Sequence, residues 1–141
     1  SITIPQFSLN NTNVIQTPFN RIITAGDHVT FNDLDVTFKI DEDFQNYMEI
    51  YDWLKSLGQI ENSSGYKKLQ DNLKSSGEGL KSDIAIIVSD ALKNPNYEIS
   101  FFDCFPIALG NVLFQTTEES VNYVSASVVF KYTYFDIAKT I

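Results

Sequence analysis

Apolar and polar positions alternate along several stretches of this chain. Leu34, Val36, Phe38 and Ile40 are separated by Asp35, Thr37 and Lys39, the period of two that marks a strand with one buried face. A different period follows at once. Phe44, Tyr47, Met48, Tyr51 and Leu54 recur at helical spacing, and Ile50, Trp53 and Leu57 widen the stripe. The spacing predicts one amphipathic helix from Phe44 to Leu57. Asp41, Glu42 and Asp43 stand at its positive end, with Asp41 or Asp43 as N-cap, and Gly58 is placed to terminate it.

The second half reads as β-structure. Ile84, Ile86 and Val88 predict a strand over 83–90, and Tyr97, Ile99 and Phe101 a second over 97–103. The turn at Asn94-Pro95-Asn96 joins them into a hairpin. Cys104-Phe105-Pro106 breaks or bends the second strand. A third run, Ile107 to Gln115, carries Gly110-Asn111, a bulge or a turn. After a polar turn at Glu118-Glu119-Ser120, Val121 to Phe135 reads as one long strand. It exceeds the usual five or six residues, a length suited to a sheet continued by a neighbouring subunit. Residues 1–25 read as a polar extended arm, broken at Pro5 and Pro18 and turning at Asn10-Asn11. Residues 59–81 read as an inserted surface loop, in which Tyr66, Leu69 and Leu73 suit one short helix over 65–75. The whole predicts a single α+β domain over 1–141, mainly antiparallel β, closed as a sandwich or barrel with one flanking helix.

Composition narrows the function. Ten Lys and Arg face 18 Asp and Glu in 141 residues, a net charge of −8, with Arg21 the sole arginine. Such a chain is poorly equipped to grip phosphates or an anionic membrane surface. No apolar run reaches the length of a membrane span. One cysteine, Cys104, excludes an internal disulfide and a cysteine-based zinc site; one histidine, His28, excludes multi-histidine metal sites. No phosphate loop, dinucleotide fingerprint or nucleophile elbow is present.

Eight acids fall between Asp27 and Asp52: Asp27, Asp33, Asp35, Asp41, Glu42, Asp43, Glu49 and Asp52. Asp41, Asp43 and Glu49 are hard oxygen donors, but they lack the spacing and glycine of an EF-hand loop. Helix capping and a solvated face explain them better. His28 beside Asp27 reads as a surface turn pair, and Cys104 among aromatics as a small buried hydrophobe. Trp53 with Tyr47 and Tyr51 could form a sugar-stacking platform, but at helical spacing core packing is the simpler reading.

Two segments carry a family likeness. Pro18-Phe19-Asn20-Arg21-Ile22-Ile23-Thr24-Ala25-Gly26-Asp27 precedes Phe31-Asn32-Asp33-Leu34-Asp35-Val36-Thr37-Phe38-Lys39-Ile40-Asp41-Glu42-Asp43, and Tyr51-Asp52-Trp53-Leu54 follows. This order resembles the tail-tube proteins of T4-like contractile phages and their baseplate tube-initiator relatives. Phe102-Asp103-Cys104-Phe105-Pro106-Ile107 and the run 121–134 resemble that family's last strands.

The resemblance implies a non-enzymatic structural protein without cofactor. It implies hexameric rings that stack into a tube, a surrounding sheath, baseplate or terminator partners, and genome DNA passing through the lumen of a virion tail made in the host cytoplasm. It also implies a first strand upstream of Ser1. Asp27, Asp33, Asp35, Asp41, Glu42 and Asp43 are then candidates for an acidic lumen or solvated face, since like charge keeps a polyanion sliding. Phe19, Arg21, Tyr66, Lys67 and Lys68 are candidates for inter-subunit contacts. A tube protein of a related bacterial injection machine and a monomeric β-sandwich binding module remain the alternative readings.

Overall fold

The computed structural model describes residues 1–10, 13–58, 64–76, 80–114 and 123–140. Along the chain run β1 (Phe7–Asn10), β2 (Asn13–Gln16), β3 (Arg21–Thr24), β4 (His28–Phe31) and β5 (Leu34–Lys39). Then come α1 (Gln45–Gly58), α2 (Ser64–Ser76), β6 (Ser82–Ser89), β7 (Pro95–Leu109), β8 (Ser125–Lys131) and β9 (Tyr134–Lys139). The fold is α+β and mainly antiparallel.

β7 organises the main sheet. Its first half, through Cys104, pairs with β6 on one edge, and Tyr97–Phe102 pair with β9 on the other. Its second half, from Phe105, pairs with β8, which in turn pairs with β5. The strand changes direction at Asp103. There Phe102 and Asp103 oppose Asp83 alone, because the register shifts between Ser82↔Cys104 and Ile84↔Phe101. Such a bulge bends a strand and lets it serve two sheets.

Asp103 has φ 57°, a left-handed conformation that Asp adopts more readily than most side chains. Its N–H donates to Asp83 Oδ1 (3.1 Å), and its Oδ2 accepts from Thr133 Oγ1 (3.4 Å). The Thr133 N–H donates to the Phe102 carbonyl (2.9 Å). The corner is therefore tied on both strands. Gly110 lies where β7 ends, its N–H donating to the Ser127 carbonyl (2.6 Å). A Cβ there would displace the Ser127 hydroxyl and stand 3.0 and 3.2 Å from the Ser127 backbone O and N, so a larger residue needs the strand pair to give by a few tenths of an ångström.

Inside the bend sit Leu34, Ile99, Phe101, Cys104, Val128 and Phe130. Register places them together: Leu34 faces Phe130, Val36 faces Val128, and Phe101 faces both Ile84 and Phe135. α1 covers this core with Ile50 and Trp53, the indole lying 6.3 Å from the Phe130 ring. Trp53 Nε1 donates to the Leu80 carbonyl (3.3 Å). Met48 and Tyr51, placed by periodicity at the centre of the apolar stripe, are exposed; the core face runs through Ile50 and Trp53 instead.

Several expectations change. Neither Asp41 nor Asp43 caps α1. Phe44 does, at φ 62°, its carbonyl accepting from the Met48 N–H (3.1 Å). Asn46 fixes the entry by accepting from the Asp41 N–H and donating to the Lys39 carbonyl. A second helix joins the flanking one: α2 occupies Ser64–Ser76, where the spacing of Tyr66, Leu69 and Leu73 suits a short helix over 65–75. Residues 59–63 and 77–79 lie outside the described residues, as do Asn11 of the expected first turn, the end of the 107–115 run, the whole of the expected turn at 118–120 and the start of the 121–135 run.

That run is not one strand. It ends as β8 at Lys131 and restarts as β9 at Tyr134, and the unusual length belongs to β7, with 15 residues. The segment 1–25 is not a bare arm. β1 pairs with β4 and β2 with β3, forming a ribbon whose tip is Thr17–Asn20.

Asp103→Val forces a β-branched residue into left-handed backbone and should cost about 1–3 kcal/mol. Asp103→Gly relieves the conformation and should cost less. Urea midpoints for the two variants check this; equal midpoints would contradict the role assigned to the corner.

Candidate assembly surfaces

The ribbon is a two-stranded structure with large apolar side chains open to solvent. Leu9, Ile15, Ile22, Ile23 and Val29 are all exposed. Its tip is tightly built. The Thr17 N–H and Oγ1 both donate to the Asn20 carbonyl (2.9 and 2.7 Å), and the Asn20 N–H returns to Thr17 Oγ1 (3.0 Å). Asn20 Oδ1 accepts from the Arg21 N–H (2.9 Å). Pro18 adds its own fixed φ. This turn holds Phe19 outward, 99% exposed, with Arg21 beside it.

The ribbon's root packs on the main sheet through aromatic rings. Phe7 meets Phe31 and Phe135 at 6.2 and 5.9 Å, and Phe31 meets Phe135 at 5.4 Å and Tyr132 at 6.0 Å. Tyr132 also donates its hydroxyl to the Asn32 carbonyl (2.6 Å). The other contact candidates lie on a different element: Tyr66 is half-buried on α2, with Lys67 and Lys68 exposed beside it.

The six candidate acids are all exposed but do not converge on one element. Asp27 precedes β4 on the ribbon, 3.7 Å from His28. Asp33 lies before β5, 4.0 Å from Lys131 Nζ. Asp35 shares the outer face of β5 and β8 with Thr37, Lys39, Ser125 and Ser127. Asp41, Glu42 and Asp43 form the turn before α1. Val129, which opposes Asp35, interrupts the polar residues of this face; with Asp33 beside Lys131, two acids and two lysines leave it close to neutral.

A more uniformly acidic face lies elsewhere. On the outer side of β6, β7 and β9, Ala85 pairs with Ser100, Ile87 with Glu98, Ser100 with Asp136 and Glu98 with Ala138. Lysine is absent from these pairs; Lys139 opposes Tyr97, on the other side. Sequence reading missed Asp136 and Ala138 because it ended the last strand at Phe135. The signal was the alternation of the large apolar Phe135 and Ile137 with Asp136 and the small Ala138.

The edges of the sheet are open. Among the described residues, β6 and β9 pair only with β7, while the outer edge of β5 is partly taken by the start of the chain: Ile2 bridges Val36, the Thr37 N–H donates to the Ser1 carbonyl (2.8 Å), and the Ser1 ammonium donates to the Thr37 carbonyl (2.7 Å). An unpaired edge is a template for another strand.

Chemically reactive groups are not assembled here. Among the described residues no group of three His, Cys, Asp or Glu side chains is placed to hold a metal ion. His28 is exposed on the ribbon, and Trp53 is committed to the core. Cys104 is fully buried, and burial pushes its thiol up to about 11. Burial, with Asp33 nearby, likewise pushes the Tyr132 hydroxyl up to about 12. No helix among the described residues is long and apolar enough to cross a membrane.

No family model matches the chain, and no curated protein matches it in sequence. Solved structures match in fold. Against a chain of the PVC sheath/tube terminator, from an extracellular contractile injection system in the extended state, the TM-score is 0.68. Identity is 14%, over 98% of this chain and 83% of that one. Against the PVC sheath–tube complex the values are 0.67 and 13%, over 99% and 80%. The tube-terminating cap of the anti-feeding prophage gives 0.67 and 12%, over 99% and 79%. The chain thus shares, over nearly its whole length, the fold of components of contractile injection systems.

Two outcomes follow from the buried Cys104. Its thiol should resist alkylation at neutral pH in the folded protein and react once unfolded, as mass spectrometry would read. The folded-state values of Cys104 and Tyr132 lie above the ordinary 9.0 and 10.0. The stability they contribute is therefore complete below about pH 9 and lost as pH rises through about 11 to 12. Urea midpoints should fall across that window; an unchanged midpoint would contradict the burial.

Proposed function

We propose that this chain is a non-enzymatic structural component of a contractile injection apparatus that assembles with copies of itself into a ring of the tube, its start or its cap. The fold likeness over 97–99% of the chain to chains of baseplate, cap, sheath–tube and terminator assemblies is the observation that carries this reading. The open edges of β6 and β9 support it independently, because a ring of copies satisfies edges without aggregation. So do the exposed apolar side chains of the ribbon, which are hard to reconcile with a permanently free monomer.

In this reading rings of six stack within a sheath and meet baseplate or terminator proteins. A polar sheet face of small residues lines the lumen, either the near-neutral face of β5 and β8 or the acidic face of β6, β7 and β9. A net charge of −8 keeps an anionic polymer from sticking to that wall. In a phage tail the passing polymer is genome DNA. The anti-feeding prophage and PVC neighbours favour a bacterial contractile injection system as the setting. A sugar-binding module finds less support, since Trp53 donates to Leu80 and packs on Phe130.

Purified protein should show rings or tubes by electron microscopy and a concentration-dependent mass by sedimentation, and should leave duplex DNA unshifted in a gel at physiological salt. A strictly monomeric species at all attainable concentrations would contradict the proposal.

A further inference from the structure

The ribbon carries a knob at one end and a socket at the other. The knob is Phe19, 99% exposed on a turn pinned by four hydrogen bonds. The socket is a cavity of about 410 Å³ at the ribbon root, lined by Phe7, Val29, Phe31, Phe135, Asp136 and Ile137. Five of its six lining residues are apolar, three of them phenylalanines, and its single charged residue is an acid. The single arginine of the chain, Arg21, stands two residues from the knob. Phe19 and Arg21, two residues apart at the ribbon tip, thus have a counterpart in an aromatic-lined groove whose rim includes Asp136, its Oδ1 accepting from the Ile137 N–H (2.9 Å). Because Phe19 is almost fully exposed, the cavity of its own chain does not hold it.

Resting on the self-assembly reading above, we propose that Phe19 of one copy seats in the Phe7–Phe31–Phe135 cavity of the next, with Arg21 pairing with Asp136 at its rim. Knob and socket are different patches at opposite ends of the ribbon, so the contact can repeat head to tail from copy to copy into a ring or a stack. The rigid turn matters here, since little side-chain and loop ordering remains to be paid on binding. The groove is open, with Phe7, Val29 and Ile137 half exposed or more, so seating the ring removes apolar surface of both copies from water, and the ion pair, charge-assisted and geometrically specific, sets its orientation.

The test compares the full chain with Phe19→Ala, Arg21→Glu and the exchange Arg21→Asp with Asp136→Arg. Phe19 and Arg21 are solvent-exposed, so circular dichroism and thermal melting should match the parent chain. Sedimentation should show the concentration needed for assembly rising about tenfold or more for Phe19→Ala and Arg21→Glu. The charge exchange should recover much of the loss that Arg21→Glu produces. A mixture of Phe19→Cys and Ile137→Cys chains should form a disulfide between copies on oxidation. Normal assembly of Phe19→Ala and Arg21→Glu, without that cross-link, would overturn the knob-and-socket contact while leaving self-assembly standing. A parent chain that never assembles would overturn both.

Discussion

The structure depends on one strand serving two sheet halves. β7 is long enough to pair with β6 and β9 before its bend and with β8 after it. The bend is possible because Asp103 accepts left-handed backbone and because Asp83 and Thr133 satisfy its polar groups from either side. Everything else follows from where this corner puts its neighbours. Phe101, fully buried just before the corner, contacts both Tyr132 and Phe135 across the β8–β9 break. Those same two residues receive the ribbon through Phe31. One bulge therefore shapes the core, seats the ribbon and creates the cavity at its root.

The core that results is small for a chain of this length. Among the described residues seven hydrophobic residues are buried, while a far longer set of large apolar side chains is exposed, much of it on the ribbon and along the edge strands. Scattered apolar residues on a surface are ordinary. A ribbon that exposes them along its length, joined to a sheet with open edges, is a surface waiting to be covered. Assembly with other copies would remove that apolar area from water and complete the β-ladders at once, which is the physical content of the structural role proposed.

The main strands were legible because their alternation is local: Leu34 to Lys39 and Tyr97 to Phe101 show period two with one apolar face. The break at Tyr132-Thr133 was not, since alternation runs through it unbroken and the bend is imposed by pairing with the β7 bulge. The ribbon was read as an extended arm because strands of four residues carry too little pattern, and Ile22-Ile23 places apolar side chains on both faces. The α1 face rotated from Met48 and Tyr51 toward Ile50 and Trp53 because the packing partner, not the helix alone, selects among adjacent apolar positions. Phe19 and Arg21 came from a likeness in residue order. The cavity residues come from β1, β4 and β9, far apart in sequence, and no local pattern joins them.

Hydrogen–deuterium exchange, comparing dispersed subunit with assembled particle, tests most directly whether other copies complete this fold. The edge amides of β6, in Ser82–Ser89, that point away from β7 should exchange quickly in the free subunit and become strongly protected on assembly. Rapid exchange of those amides in both states, with the ribbon equally unprotected, would contradict a ring built on these edges.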